Sequence, residues 1–442
     1  MTANQSSLER LADVLPPTAA ADTDGELTIG GCRVSDLAAE FGTPLHIYDE
    51  ASLRHQMRAL VDGLHRRWPN SEAVFASKSA PILAIYAIAA SEGMGIDVAG
   101  PGELELALAA GVSPELIHLH GNAKTDAELA RAIEVGVGVI IVDNEAELDR
   151  LERLVPRGRR QKLLFRVMPG VDAKTHANMN TGGNDSKFGL PISVVSELIQ
   201  HLAGHDRLEV AGVHVHIGSQ ILSVEQFASA VEALKPLGGL AVYDLGGGLG
   251  IAHHEGEQAP SVDDYLDTLI GAAERYLPAD ARILIEPGRS TVARSGVTAY
   301  RTVVTKETGR TFVAVDGGMA DFVEVALTGQ RFSALVANRA TAVPNSRVQL
   351  VGRQCESGDL LIDQAELPDP RIDDVIVIPA TGAYTYTMTN NYNGAARPAV
   401  VFVKDGEARL AVRRETTDDL LRLHQPALDH DWATSAVPAA TM

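Results

Sequence analysis

The chain has 442 residues, which is long enough for two domains or for one large barrel plus an accessory domain. With 45% hydrophobic and 22% charged residues, its composition is ordinary for a globular enzyme. Its formal net charge of −20 and pI near 5.1 argue against binding to nucleic acid or to an anionic membrane surface. No apolar stretch has the length of a membrane span, no secretory leader is recognisable, and the two cysteines lack metal-ligand spacing. We therefore expect a cytoplasmic protein with reduced thiols and no metal site.

The apolar runs recur as if strands and helices alternated. The first four predicted strands begin about 22 residues apart, which leaves room for one strand, one helix and two loops. Amphipathic segments such as 126–135 and 145–154 predict the helices. Eight strands are predicted, at residues 73–78, 95–98, 116–120, 139–143, 163–168, 208–216, 240–245 and 282–286. This alternation predicts a parallel (β/α)8 barrel, with a doubly wound open sheet as the competing layout.

After about residue 300 the pattern changes to short β-rich runs separated by turn residues, which predicts a mostly antiparallel β domain over residues 301–425. Residues 26–45 are expected to add an N-terminal strand to that domain, which leaves residues 46–300 for the barrel. Residues 1–25 are expected to be a disordered segment and residues 426–442 a tail.

Residues with reactive side chains stand at the predicted strand ends. Lys78 closes one run and is either a lysine whose ammonium group reaches solvent or a nucleophile for carbonyls whose pKa is lowered by apolar surroundings. His216 is either a core histidine or a ligand group, and Gly218 and Ser219 follow it at once. His214 lies on the same face of the strand but is not expected to reach a ligand. Their position at the C-terminal strand ends favours the barrel, whose active sites are built there.

Two further strand ends carry a glycine-rich turn and a carboxylate. Gly246, Gly247 and Gly248 are either a flexible loop or a turn whose backbone N–H groups can approach a phosphate. Glu286, three residues before Arg289, is either part of a surface ion pair or an interior carboxylate that needs a cationic partner. A lysine, a histidine, a glycine-rich turn and a carboxylate can together hold an aldehyde cofactor that carries a phosphate.

Two segments of the second domain also have chemical character. Cys355 stands in a polar, glycine-containing turn, whereas structural cysteines are usually buried in apolar strands. Tyr384 offers a phenol on a loop.

These segments, in this order, resemble the pyridoxal 5′-phosphate (PLP)-dependent decarboxylases of the alanine-racemase-like barrel fold. They resemble above all the diaminopimelate decarboxylases and, more distantly, ornithine decarboxylase. The similarity runs from about residue 26 to residue 403. The most specific motifs are His120-Gly-Asn-Ala-Lys-Thr125, Arg166-Val-Met-Pro-Gly170 with Ser186-Lys-Phe-Gly189, His216-Ile-Gly-Ser-Gln220, Glu286-Pro-Gly-Arg289 and Cys355-Glu-Ser-Gly-Asp359.

The resemblance implies a role for each matching residue. Lys78 would bind PLP covalently, His216 would stack on the pyridine ring, and Glu286 would pair with its ring nitrogen. Asp97 would lie near Lys78 and the ring. The phosphate would be surrounded by Ser219, Gly246, Gly247, Gly248, Gly288, Arg289 and Tyr384. The family's homodimeric architecture would bring Cys355, the candidate proton donor, and Glu356 into the partner subunit's site. Substrate contacts would come from Arg289, Glu324, Thr328, Glu356 and Tyr384.

The chain departs from the family at the substrate's distal end. Diaminopimelate decarboxylases have an Arg where Glu324 stands and a Tyr where Thr328 stands, and both help to bind the distal carboxylate. Unless Arg331 or Arg353 substitutes, a distal carboxylate is expected to meet repulsion instead of a bidentate clamp.

The leading hypothesis is therefore an amino-acid decarboxylase with altered side-chain specificity, acting in a specialised biosynthetic pathway. The alternatives are an ordinary meso-diaminopimelate decarboxylase that makes L-lysine, a non-catalytic PLP-binding homologue and a racemase. Retention of Lys78, His216, Glu286, Cys355 and Tyr384 argues against the non-catalytic homologue. The Cys355 motif favours decarboxylation over racemisation.

Overall fold

The computed structural model describes residues 5–171 and 186–424, so the predicted tail at 426–442 lies outside the described residues. The N-terminal region is ordered, and the prediction of disorder is wrong for residues 5–25: Leu11, Val14 and Leu15 are buried in an apolar cluster of the β domain. The elements of this region are α1 (Ser7–Arg10), β1 (Ala20–Ala21), β2 (Leu27–Ile29), β3 (Cys32–Arg33), α2 (Val34–Phe41) and β4 (Leu45–Asp49).

The strand that joins the β domain comes later than the sequence predicts. Strands β1, β2 and β3 form a separate three-stranded antiparallel sheet, whereas β4 enters the large sheet of the β domain. All five residues of β4 are buried. Four of them, residues 46–49, lie in the range that the sequence predicts for the barrel.

The barrel prediction is confirmed and the open sheet is wrong, because β8 pairs with β9 and closes the ring of eight parallel strands. Most strand residues are buried, as expected for parallel strands covered by helices. The strands, with a two-residue addition beside β9, are β5 (Ser71–Ala76), β6 (Gly95–Val98), β7 (Ile117–Leu119), β8 (Val139–Val142), β9 (Gln161–Met168), β10 (Leu190–Pro191), β11 (Leu208–Val215), β12 (Val242–Asp244) and β13 (Arg282–Ile285).

Helices surround this barrel, and local signals set their ends. In α6, Thr125 and Glu128 form a reciprocal capping box at the start, and Gly136 ends the helix in a left-handed conformation with φ 79°. The helices are α3 (Glu50–Arg67), α4 (Leu83–Ser91), α5 (Pro101–Ala109), α6 (Asp126–Val135), α7 (Glu145–Leu154), α8 (Ile192–His201), α9 (Glu225–Ala233), α10 (Val262–Tyr276) and α11 (Arg289–Val292).

The β domain is mostly antiparallel, as predicted, with parallel pairs only between β4 and β20 and between β15 and β17 among the described strands. Its central strand, β14, pairs with β4, β15 and β19, and begins four residues after α11. The elements are β14 (Gly296–Glu307), β15 (Thr311–Val315), α12 (Glu324–Thr328), β16 (Leu335–Val336), β17 (Ser346–Val351), β18 (Leu360–Leu367), β19 (Val375–Pro379), β20 (Ala399–Lys404), β21 (Glu407–Val412) and α13 (Thr417–Leu421). Across residues 5–171 and 186–424, no helix combines the length and apolar character needed to cross a membrane.

A buried ion pair fixes the loop between β7 and α6. Lys124 Nζ donates hydrogen bonds of 2.7 Å to the carbonyl oxygens of Gly121 and Ile141. It also lies 2.7 Å from Glu147 Oε1, and both side chains are almost fully buried. The pair ties the segment that follows β7 to α7 and to the end of β8.

We expect Lys124→Met to lower the free energy of unfolding by about 3 kcal/mol, because it leaves the Glu147 carboxylate buried without its cation. The double variant Lys124→Met/Glu147→Leu should recover much of that loss. Urea denaturation measures both. The matched control is the exposed pair Arg409–Glu407, where Arg409→Met should change stability by less than about 0.5 kcal/mol. Equal losses in the two single variants would contradict this account.

Candidate active site

A cavity of about 500 Å³ lies at the C-terminal ends of the barrel strands, where α12 and the loop after β19 also contribute. The structure brings most of the predicted site residues together around it. Among the predicted residues, its lining includes Lys78, Asp97, His216, Ser219, Gly248, Glu286, Gly288, Arg289, Glu324, Thr328 and Tyr384.

Lys78 lies in a 3₁₀ turn directly after β5 and not within the strand itself. The turn is held by two serines: Ser79 Oγ donates to the carbonyl oxygen of Ala76 at 2.8 Å, and Ser77 Oγ donates to Glu103 Oε2 at 2.8 Å. Lys78 is therefore presented to the cavity from a fixed backbone.

The charge state of Lys78 differs from the expectation. Burial lowers its pKa, but the nearby Tyr384 and Asp97 outweigh that effect, so the pKa lies above the ordinary value of a lysine. The alternative of a lowered pKa, which follows from apolar surroundings alone, is therefore wrong. For Asp97, burial raises the pKa to about 6, and the nearby His120 offsets only part of this increase.

Glu286 follows β13 directly and is held between two histidines. His214 Nε2 and Glu286 Oε2 are hydrogen bonded at 3.0 Å. His120 Nε2 lies 2.7 Å from Glu286 Oε1, although the geometry of this contact is not that of a hydrogen bond. Burial alone would raise the pKa of Glu286, but His120 and His214 outweigh it and hold this pKa well below its ordinary value.

Glu286 also belongs to two groups of side chains whose spacing would allow them to bind a metal ion. His120, His214 and Glu286 have ligand atoms within 4.8 Å of one another, as do His118, Asp244 and Glu286. The direct imidazole–carboxylate contacts account for the first group without an ion.

The glycine-rich turn after β12 packs against neighbouring backbone. Gly246 has φ 66°, in the left-handed region, and its N–H donates to Asp244 Oδ1 at 2.9 Å. The N–H of Gly247 donates to His216 Nδ1 at 3.3 Å. A Cβ atom at Gly247 would lie 2.0 Å from the carbonyl oxygen of Glu286, so no side chain fits there. Burial, followed by the charge of Lys78, holds the pKa of His216 well below its usual value, which makes this imidazole neutral.

The β domain supplies Tyr384 to the cavity. The backbone N–H of Tyr384 donates to the carbonyl oxygen of Ser79 at 2.8 Å, which joins this loop to the lysine turn. Tyr384 has φ 57°, a left-handed conformation that is uncommon for a residue with a side chain. The guanidinium carbon of Arg289 lies 4.6 Å from the centre of the Tyr384 ring, a cation–π contact.

Arg289 is also paired with Glu324, the residue that departs from the family pattern. Arg289 Nη1 donates to Glu324 Oε1 at 2.6 Å, and both side chains are buried. His253 Nε2 lies 3.2 Å from the same Nη1. The expected charge reversal is thus compensated: Glu324 does not face the cavity as an unpaired anion, because a cation from the barrel neutralises it.

The other residues predicted for the distal end do not bring a cation to the cavity of their own chain. Thr328 Oγ1 donates to the carbonyl oxygen of Glu324 at 2.8 Å, so its hydroxyl proton is used within α12. Arg331 lines a different cavity, of about 170 Å³, beside Arg10 and Arg347. Arg353 is exposed and is not among the residues that line the active-site cavity.

Cys355 and Glu356 lie outside the cavity of their own chain. Both are exposed, and the backbone N–H of Cys355 donates to Asn393 Oδ1 at 2.7 Å. Of the predicted catalytic residues, Lys78 and His216 therefore come together in one chain and Cys355 does not join them.

The sequence prediction missed several residues that contribute to the cavity. His120 and Arg166 stand in the motifs but had no role, and His214 was not expected to take part. His253 does not line the cavity but contacts Arg289 Nη1, and no sequence pattern singled it out. A usable signal existed for His120, because it directly follows β7 just as Glu286 directly follows β13.

Comparisons with known proteins agree with this geometry. The family described as pyridoxal-dependent decarboxylase, pyridoxal binding domain, matches residues 50–293. The diaminopimelate decarboxylase of Bacillus subtilis is 39% identical over 420 residues, which cover 91% of this chain and 96% of that protein. The diaminopimelate decarboxylase of Halalkalibacterium halodurans is 38% identical over 424 residues, with the same coverage of 91% and 96%. The structure of diaminopimelate decarboxylase from M. jannaschii with L-lysine has a TM-score of 0.85 at 29% identity, and covers 93% of this chain and 98% of that one. The chain therefore belongs to the diaminopimelate decarboxylase family of PLP-dependent decarboxylases.

Proposed function

We propose that this enzyme decarboxylates an amino acid other than meso-diaminopimelate, as a homodimer whose active sites are shared between subunits. The observation that carries the specificity argument is the buried Arg289–Glu324 ion pair at the wall formed by α12. The family resemblance of the sequence implies an Arg and a Tyr at these two positions, where this wall has Glu324 and Thr328.

The cavity has the features that PLP requires. Lys78 provides an amine, and Gly248 of the glycine-rich turn lines the cavity where a Cβ atom would lie 2.3 Å from the carbonyl oxygen of Gly218, so the backbone there can approach a phosphate closely. Glu286 is a buried carboxylate whose pKa is held low by His120 and His214, so it can pair with a protonated ring nitrogen. We assign Asp97, Ser219, Gly288, Arg289 and Tyr384 to the same binding site on their place in the cavity lining.

The residues of the chain divide the chemistry between them. When bound, PLP acts as an electron sink for the electron pair left behind when CO₂ departs. Glu286 supports that role by keeping a negative charge at the base of the cavity. The neutral His216 offers an uncharged imidazole face, and Lys78 holds the cofactor and can return a proton to the substrate.

A second proton donor is proposed to come from the other subunit. Cys355 is a free, exposed thiol outside the lining of its own cavity. These facts support delivery across a dimer interface, with Glu356 beside it, better than delivery within one chain. We therefore propose Cys355 as the acid that protonates Cα after CO₂ has left.

The α12 wall supports a substrate without a distal carboxylate. It contributes Glu324, Leu327 and Thr328 to the cavity, and none of these is a cation. Arg289 is the guanidinium next to that wall, and it is already paired with Glu324. A distal carboxylate would have to separate this buried pair to obtain a clamp, whereas an uncharged or amine-bearing side chain would not.

The alternative is an ordinary meso-diaminopimelate decarboxylase that makes L-lysine. The printed names of the relatives from Bacillus subtilis and Halalkalibacterium halodurans favour it. Turnover with meso-diaminopimelate, lysine, ornithine and arginine, followed by CO₂ release, separates the two functions.

We expect the purified protein to be yellow, and sodium borohydride to fix the cofactor on Lys78. Lys78→Ala should lose the covalent link and nearly all turnover, because no other amine takes its place. Absorbance spectra and peptide mass spectrometry measure both effects. The control is Lys404→Ala, at an exposed lysine of β20, which should keep colour and turnover. A colourless protein that PLP cannot reconstitute would end the decarboxylase proposal.

Cys355→Ala should keep cofactor binding and lose turnover, since its thiol acts only after CO₂ has left. Mixing Lys78→Ala with Cys355→Ala subunits should recover up to about a quarter of wild-type activity, because half of randomly formed dimers contain one intact site. Activity after verified subunit exchange is the measurement. No recovery would place both residues in one subunit's site and refute sharing.

We expect meso-diaminopimelate to be a poor substrate of the wild type, with the loss mainly in kcat/KM. Glu324→Arg with Thr328→Tyr should raise its turnover and weaken use of the native substrate, because Arg289 is released and a second guanidinium is added. Steady-state kinetics measures both. Glu324→Gln is the matched control: it removes the negative charge without adding a cation, and should gain less. Efficient turnover of meso-diaminopimelate by the wild type would establish the alternative.

A further inference from the structure

The carboxylate of Glu286 has one imidazole at each of its oxygens. His214, from β11, is hydrogen bonded to Oε2, and His120, which follows β7, approaches Oε1 to 2.7 Å. The two rings meet edge to face, with centroids 5.0 Å apart and an interplanar angle of 77°. In the order of strands around the barrel, β11 and β7 lie on opposite sides of β13, and a histidine from each side holds the Glu286 side chain.

We propose that His120 and His214 are positioning residues, which fix the Glu286 carboxylate as an anion in the orientation that meets the ring nitrogen of PLP. This inference rests on the binding of PLP and not on the substrate. In this role the two histidines act through Glu286.

The two histidines contribute in different ways. His120 has a raised pKa, because Asp97 and Glu286 outweigh the burial that would lower it, and this favours its positively charged form. Burial lowers the pKa of His214 to about 4, so its neutral ring supplies a hydrogen bond and no charge. Glu286 also faces Asp244, whose own pKa is raised well above its usual value by burial and by Glu286. Asp244 therefore keeps its proton, and Glu286 remains the ionised member of the two.

A purely structural role for these histidines makes a different prediction from a positioning role. If they only fill space, their loss should weaken any ligand of the cavity equally. If they position Glu286, their loss should weaken only a ligand that has a basic ring nitrogen. The cofactor analogue 1-deazapyridoxal 5′-phosphate, in which carbon replaces that nitrogen, separates the two cases.

The experiment uses the full-length protein stripped of cofactor, and measures the Kd of PLP and of the deaza analogue by fluorescence titration. We expect His214→Leu to weaken PLP about tenfold, the worth of a hydrogen bond to a charged group, and the analogue less than about twofold. His120→Leu removes the close imidazole contact with the other carboxylate oxygen and should weaken PLP in the same selective way. His214→Gln keeps an amide N–H near the position of Nε2 and should restore most of the preference for PLP.

The matched control is His46→Leu, since His46 is a buried histidine of the β domain that is bonded to Thr298 and does not line the cavity. Its ratio of the two Kd values should equal that of the wild type. Equal weakening of both ligands by the His120 and His214 variants, or no weakening of either, would overturn the inference. That result would leave the decarboxylase assignment intact, because no substrate is involved. If His214→Leu does not fold, His120→Leu gives the same ratio test.

Discussion

A buried carboxylate next to the barrel axis is the constraint on which the active site depends. An ionised group such as Glu286 cannot remain in an apolar interior without partners, since its desolvation costs several kcal/mol. Here the partners come from two other strand ends, His120 and His214, and the neighbouring carboxyl group of Asp244 keeps its proton instead. The closed ring of parallel strands makes this possible, because it brings eight strand ends to one edge of the protein. The fold therefore determines the position of the Glu286 carboxylate, and His120, His214 and Asp244 are arranged around its charge.

The cavity is complete only where the two domains meet. The barrel gives the lysine turn, the histidines and the glycine-rich turn, and the β domain gives Tyr384 and α12. The contacts that connect them beside the cavity include the Tyr384 N–H bonded to the carbonyl oxygen of Ser79 and the Arg289–Glu324 ion pair. The left-handed backbone of Tyr384 is consistent with a position set by these contacts and not by local preference. A change in either domain should therefore alter the shape of the same cavity.

Much of this site was accessible from the sequence, because local patterns determine where strands end. Lys78, His216 and Glu286 could be assigned to one edge as soon as the strands were predicted to be parallel. Contacts between distant side chains were not accessible in this way. Nothing in the residues around Glu324 indicates that Arg289 neutralises it, or that His214 turns towards Glu286. The prediction of a disordered N-terminal segment was wrong for a related reason. Leu11, Val14 and Leu15 are spaced among polar and small residues, and their burial depends on a surface made by other strands.

The Arg289–Glu324 pair also changes the physical reason for discrimination at the distal end. An unpaired glutamate would repel a substrate carboxylate, but a neutral pair neither repels nor holds it strongly. Recruiting Arg289 to such a carboxylate means leaving Glu324 buried without a cation, and breaking a buried pair in this way costs about 3–5 kcal/mol. A side chain that is neutral at this end leaves the pair intact. In the proposed function, selectivity therefore follows from the stability of an ion pair inside the enzyme, and His253, which contacts the same guanidinium nitrogen, contributes to that stability.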